Sequence, residues 1–212
     1  MKIQWLGHAC FLLVSEDGVR VLTDPFDATV GYPAPAVAAD IVTTSHQHSD
    51  HNYIQVVRGK FAVIDCAGET TLRGIGIKGI ATYHDDTHGS QRGQNLLFRF
   101  TIDGLNVLHC GDLGHALTPE QVQAIGPVDV LIVPVGGHYT IDAATAVKVR
   151  EQLNPALTIP MHFHTPAINF PIATVDPFLQ ATGGGKQLGK MEIEVSRESL
   201  KEQGVIVLDY PR

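Results

Sequence analysis

The amino-acid sequence predicts a mixed α/β (α+β) fold in one domain that spans residues 1–212. Three observations support this prediction. Short apolar runs separated by Gly and turn residues dominate the first half of the chain, which is typical of β-strands. Strand-like runs alternate with helical patterns in the second half, and 212 residues are enough for one domain with a substantial core.

In the first half, apolar runs predict strands at residues 3–6, 9–14, 19–23, 41–44, 61–65, 69–75 and 77–83. The first three of these strands are predicted to form a β-meander. The Ala-, Pro- and Gly-rich residues 28–40 are predicted to form an irregular loop. A short helix is predicted at residues 52–58, where Gly59 would end it. Two apolar runs around the turn Asp103-Gly104 predict a β-hairpin, with strands at residues 96–102 and 105–110.

In the second half, the sequence predicts two helices that alternate with strands. One helix is predicted at residues 118–125, after a Thr-Pro-Glu entry signal, and the other at residues 142–153. A Pro-rich loop is expected after His164. The predicted strands of this half are residues 129–133, 157–160, 191–195 and 205–208.

Composition excludes several classes of function. The formal net charge of -7 and the scattered positions of the 15 Lys and Arg residues disfavour a nucleic-acid partner.

No apolar run reaches the roughly 18 residues of a membrane span, and no export signal is recognised, so we expect a cytoplasmic protein. Cys10, Cys66 and Cys110 lack Cys-x-x-Cys spacing, which indicates reduced thiols. We expect a small-molecule substrate, and a homo-oligomer stays open.

A dense group of potential metal ligands, His46-Gln47-His48-Ser49-Asp50-His51, follows the apolar run at residues 41–44. Imidazole and carboxylate together suit zinc, iron, manganese and related divalent ions. The group is internal and follows a predicted strand, so we interpret it as a metal-binding loop.

Three further groups of His and Asp residues also follow predicted strands, and they contain His84, Asp112 and His162. Loops that leave strand ends at one edge of a sheet can bring distant residues together. With the first group, these residues supply enough ligands for two ions and a bridging carboxylate. Asp24 also ends a strand, and two roles stay open for it: a turn cap or support of a ligand.

The motif His46-x-His48-x-Asp50-His51, followed in order by His84, Gly111-Asp112 and His162, resembles the metallo-β-lactamase superfamily. The chain looks most like the branch of small metal-dependent hydrolases related to ascorbate-6-phosphate lactonase and N-acyl-phosphatidylethanolamine phospholipase D. In that branch, openings such as Trp5-Leu6-Gly7-His8 and Thr23-Asp24-Pro25 also occur. The resemblance covers nearly the whole chain.

The resemblance implies a four-layer αββα sandwich, with the site at one edge of two facing sheets. It implies two divalent metal ions, zinc foremost, with manganese, nickel and iron as alternatives. One ion would be bound by His46, His48 and His84. The other would be bound by Asp50, His51 and His162. Asp112 would bridge them, and His88 is the alternative to His84.

The implied reaction is hydrolysis by a metal-bridging hydroxide of an ester, lactone or phosphodiester-type bond in a small substrate. Asp50 could also orient the water or take its proton. His138 and His164 are candidates for stabilising the oxyanion or protonating the leaving group, from chain proximity alone. The alternatives are a mononuclear iron dioxygenase or other redox protein on the same scaffold, a nuclease, and a non-catalytic metal-binding module.

Overall fold

Two six-stranded β-sheets form the framework of the computed structural model, which describes residues 1–202 and 204–212. In chain order the strands are β1 (Lys2–Trp5), β2 (Phe11–Val14), β3 (Arg20–Thr23), β4 (Ile41–Thr43), β5 (Ala62–Ile64), β6 (Gly68–Leu72), β7 (Ile75–Tyr83), β8 (Gln94–Ile102), β9 (Leu105–His109), β10 (Val130–Pro134), β11 (Leu157–Met161), β12 (Lys186–Gln187), β13 (Glu192–Glu194) and β14 (Ile206–Val207). The helices are α1 (Pro119–Ile125), α2 (Ala143–Leu153) and α3 (Asp176–Ala181).

The first sheet has the order β13-β1-β2-β3-β4-β5. Strands β1, β2 and β3 pair antiparallel, which confirms the predicted meander, and β3, β4 and β5 pair parallel. Side chains alternate between the two faces, so that Val21 packs in the core between the sheets and Leu22 packs on the outer face.

The second sheet has the order β11-β10-β9-β8-β7-β6. Its β6–β9 half is antiparallel, whereas β9, β10 and β11 are parallel. The predicted hairpin is confirmed: Asp103 and Gly104 join β8 to β9 with φ angles of 51° and 75°. Two positive φ angles are typical of a type I′ turn, whose twist matches the flanking strands.

The main hydrophobic core lies where aromatic side chains of the first sheet, Trp5 and Phe11, join those of the second, Phe98 and Phe100. Helices α1 and α2 pack against strands of the second sheet, and α3 packs on α2. The outer face of the first sheet is covered differently. There the loops that contain Phe26, Tyr32 and Ile168 form a second apolar cluster, so this outer layer is built of loops and 3-10 turns.

Both predicted long helices are confirmed, and each begins at a residue whose side chain accepts a backbone hydrogen bond of the first turn. Thr118 forms a capping box with Gln121 at α1, and Asp142 accepts from the Thr145 backbone at α2.

The helix predicted at residues 52–58 is wrong. Only a 3-10 turn, Ile54–Val56, is present, because neighbouring chain segments bind the backbone on both sides of it. The Tyr53 N–H donates to the Pro25 carbonyl, and the Arg58 N–H donates to the Val37 carbonyl. Conversely, α3 lies in the stretch predicted to be a Pro-rich loop, since a six-residue helix is too short to show an apolar period.

No helix in residues 1–202 or 204–212 is long and apolar enough to cross a membrane.

Candidate metal centre

The candidate metal ligands and Asp24 lie just after the carboxyl ends of strands. Within each sheet, these strands run in the same direction. Asp24 follows β3 and His46–His51 follows β4 in the first sheet. His84 follows β7, Asp112 follows β9 and His162 follows β11 in the second sheet. Because the two sheets pack face to face, these loops meet at one edge of the molecule.

The Asp112 carboxylate lies at the centre of this group. Its Oδ2 atom is 3.3 Å from His51 Nε2, 3.3 Å from His84 Nε2 and 3.4 Å from His162 Nε2. Asn95 of β8 fixes the loop, since its side-chain oxygen accepts from the Asp112 N–H at 2.9 Å. Histidines of both expected ligand sets thus face one carboxylate oxygen, as a bridging role requires.

Three groups of side chains could each hold a metal ion, because the ligand atoms within each group lie within 4.8 Å of one another. The groups are His46 with His48 and His84, His46 with His51 and Asp112, and His8 with His51 and His162. The first group is the set expected for one ion. The third contains His8 where Asp50 was expected. Asp50 lies nearby, with its Oδ2 atom 3.7 Å from His51 Nε2.

Several buried polar atoms at the centre have no hydrogen-bond partner among the described residues. They include His46 Nε2, His51 Nε2 and Asp112 Oδ1. Leaving such atoms unpaired costs free energy, and buried polar groups in proteins are nearly always satisfied. Divalent cations would satisfy these nitrogen and oxygen atoms, so the residues present fit metal ions.

Asp24 positions two of the histidines. Its carboxylate accepts from the Ser45 N–H at 2.7 Å and from Ser45 Oγ at 2.6 Å, and lies 2.9 Å from His51 Nδ1. Ser45 Oγ is also 2.9 Å from His46 Nδ1. Because the hydroxyl proton goes to Asp24, Oγ accepts from His46. Both Nδ1 atoms therefore carry protons and leave Nε2 free for a metal, which favours the ligand-support role of Asp24.

His8 also belongs to the site. It is buried, and its Nε2 atom is 3.2 Å from Asp50 Oδ2. Burial and the nearby His162 lower the pKa of His8 to about 4, so the neutral ring donates to Asp50. The Trp5 indole N–H donates to the His8 carbonyl at 3.0 Å. The motif Trp5-Leu6-Gly7-His8 after β1 was the available signal.

The centre is anionic. Burial lowers the pKa of His46 to about 3, so this imidazole is neutral near pH 7. Although burial raises the pKa of Asp112, the charges of His162 and His51 hold that pKa well below its usual range. The pKa of Asp24 is also lowered. Burial alone would raise it, but the hydrogen bond from His51 outweighs that effect. Ionised carboxylates beside imidazole nitrogens favour divalent cations.

An open cleft of about 440 Å³ leads to the centre, and it is lined by Thr29, Val30, His48, Ser49, Asp50, His84, Arg92, Asp112, Tyr139, His162 and Phe170. His138 is exposed and does not line this cleft, whereas its neighbour Tyr139 does. His164 is half-buried and also lies outside the cleft. His88 is exposed against the Tyr83 ring, and the structure brings His84 into the ligand group instead.

A comparison with protein-family models matches residues 2–162 to the beta-lactamase superfamily domain. Among curated sequences, the chain is 31% identical over 210 residues to a UPF0173 metal-dependent hydrolase of Archaeoglobus fulgidus, with 84% of this chain and 87% of the relative covered. A Thermoplasma acidophilum member of the same family is 30% identical over 203 residues, with 84% and 88% covered.

Among solved structures, the chain resembles a Thermotoga maritima protein described as a candidate Zn-dependent hydrolase of the metallo-β-lactamase superfamily. The two are 44% identical, with a TM-score of 0.84 and 99% and 98% of the chains covered. The chain thus belongs to the metallo-β-lactamase superfamily and to its UPF0173 metal-dependent hydrolase family. Family membership confirms the superfamily, the fold and the hydrolase class expected from the sequence.

Replacing Asp24 with Asn tests its support of the centre. The introduced amide offers one acceptor oxygen to three donors, so Ser45 and His51 lose their alignment. We expect zinc affinity to fall about 10- to 100-fold, as measured by competition with a chromogenic chelator. The matched control Asp17→Asn, at an exposed turn, should leave affinity unchanged. Wild-type affinity in Asp24→Asn would show that Asp24 does not position His51.

Gly114 tests the spacing between two ligand loops. A Cβ at this position would overlap the backbone of His84 and Asp85, so a side chain must push the His84 loop away from Asp112. We expect Gly114→Ala to weaken zinc binding and to lower the free energy of unfolding by about 1–3 kcal/mol. Calorimetry and chelator competition measure both. Gly204→Ala is the control, since a Cβ there would have no atom of the described residues within 4 Å. Equal zinc affinity and stability of the two variants would contradict the expected crowding at Gly114.

Proposed function

We propose that the protein hydrolyses an ester, lactone or phosphodiester-type bond in a small substrate with the help of two divalent cations. The convergence of three imidazole nitrogens on one oxygen of Asp112 is the observation that carries the proposal. Zinc is the metal we favour, because His-rich sites suit it and the Thermotoga maritima relative is described as Zn-dependent.

In this proposal, His46, His48 and His84 would hold one cation. Asp50, His51 and His162 would hold the second. Asp112 would be a ligand shared by both sites. When bound, such a pair of cations lowers the pKa of a water molecule and polarises the attacked carbonyl or phosphoryl oxygen.

The protein's own groups orient the reactants. Asp50 is the acceptor for the proton of the attacking water, and the hydrogen bond from His8 Nε2 fixes the direction of its Oδ2 atom. The side chains of Val30, Tyr139 and Phe170 supply an apolar wall to the cleft, which limits the access of bulk water to the substrate. Proton donation by His138 or His164 stays a prediction.

We also infer a single domain over residues 1–212 in the cytoplasm. Strand β13 pairs with β1 and the residue before β14 bridges to β11, so segments near the C-terminus extend both sheets. All three cysteines are free thiols, and Cys10 and Cys110 are buried in different apolar clusters. Unpaired thiols support a reducing compartment.

A substrate screen with metal reconstitution tests the proposal. Metal-free protein should be inactive against lactones, thioesters, phosphodiesters and β-lactams, and added zinc, manganese or nickel should restore hydrolysis of one bond class. Metal-independent turnover would contradict the proposal. One iron per chain with oxygen consumption would support the dioxygenase alternative.

On the substrate that this screen identifies, Asp50→Ala should lower kcat by at least about 100-fold, because the attacking water loses its proton acceptor. Circular dichroism should show an intact fold. The control variant Asp17→Ala changes an exposed carboxylate and should retain wild-type kcat. Retained activity in Asp50→Ala would remove the proposed mechanism.

A further inference from the structure

One positively charged side chain, Arg92, lies beside the metal centre. It lines the 440 Å³ cleft together with His48, and the same two residues line a neighbouring cleft of about 610 Å³. In residues 1–202 and 204–212, the guanidinium group of Arg92 takes part in no ion pair and in no side-chain hydrogen bond. Its charge therefore lies at the entrance of the centre, and no carboxylate of those described residues is in ion-pair contact with it.

The loop from His84 to Arg92 is built around a buried carboxylate, Asp85. Its two oxygens accept from the backbone N–H groups of Thr87, Gly89, Gln91 and Arg92, at 2.9, 2.8, 3.0 and 2.7 Å. Several hydrogen bonds to one carboxylate hold a loop in a single conformation. Because Asp85 follows His84 directly, the position of Arg92 is fixed relative to the metal centre.

Tyr139 supports the guanidinium from the opposite loop, which follows β10. The Arg92 Cζ atom lies 5.8 Å from the centroid of the Tyr139 ring, and this ring packs edge-on against Phe170. The face of an aromatic ring attracts a guanidinium cation that lies over it, and this attraction does not use up the N–H donors of the guanidinium. The donors of Arg92 remain available to a ligand in the cleft.

We propose that Arg92 binds an anionic group of the substrate, a carboxylate or a phosphate, and that the natural substrates are small anionic esters, lactones or phosphodiesters. This inference rests on the proposed function and names its substrate class. The fork of guanidinium N–H groups matches the paired oxygens of carboxylate and phosphate. The net charge of the cleft also favours an anionic substrate. Two divalent cations would more than neutralise Asp24, Asp50 and Asp112, and Arg92 adds a further positive charge.

Binding of amides that resist hydrolysis tests this without requiring turnover. Zinc-loaded protein is titrated calorimetrically with glutaranilic acid, with its phosphonate analogue and with the neutral valeranilide, in series of increasing chain length. We expect at least one anionic compound to bind about tenfold or more tightly than its neutral match. The carboxylate and phosphonate arms show which anion is preferred.

Variants of Arg92 separate its contribution to anion binding from that of the cations, which would also attract an anion. Arg92→Met should abolish most of the preference with zinc content unchanged, Arg92→Lys should retain part of it, and Arg92→Glu should reverse it. The control is Arg212→Met, since Arg212 lies over the Tyr210 ring at 5.6 Å outside this cleft and should keep the preference.

Equal binding of charged and neutral compounds by the wild type, or a preference that survives Arg92→Met, would overturn the inference. Failure of the proposed function looks different. In that case anion binding would still depend on Arg92, but none of the corresponding esters would be hydrolysed with any metal.

Discussion

The structure of the site depends on one electrostatic constraint: the buried Asp112 carboxylate needs positive charge around it. The imidazole nitrogens of His51, His84 and His162 surround one oxygen, and the other oxygen has no partner among the described residues. The carboxylates of Asp24 and Asp50 lie near Asp112, and divalent cations would balance these negative charges. Asp24 and Ser45 hold His51 and His46 in the tautomers that leave Nε2 free for a metal.

The two sheets make this arrangement possible at a cost in backbone conformation. His8, Asp24 and His162 all have positive φ angles, of 53°, 41° and 51°, which residues other than glycine rarely adopt. Such strain concentrates at functional sites because the surrounding structure holds it in place. Here the hydrogen bonds of β3 and β11 and the apolar core between the sheets supply that support, and each strained residue turns a side chain towards the centre.

The strand ends and the ligand motif His46–His51 could be predicted from the sequence, because apolar runs and ligand chemistry are local signals. Tertiary contacts decided the rest. A 3-10 turn, Ile54–Val56, is present where a helix was predicted, because backbone N–H groups on both sides of it donate to carbonyls of distant residues. The contact of His8 with Asp50 joins residues 42 positions apart, and Tyr139 rather than His138 lines the cleft. Neither follows from spacing along the chain.

The number of cations that the centre holds shows whether Asp112 is shared between two metal sites. Metal-free protein is titrated with zinc by calorimetry, and the bound metal is then counted by elemental analysis after removal of free ions. We expect two zinc ions per chain in the wild type, and one at most in Asp112→Asn, since the shared carboxylate would be lost. A single ion in the wild type, or two retained in Asp112→Asn, would contradict this expectation.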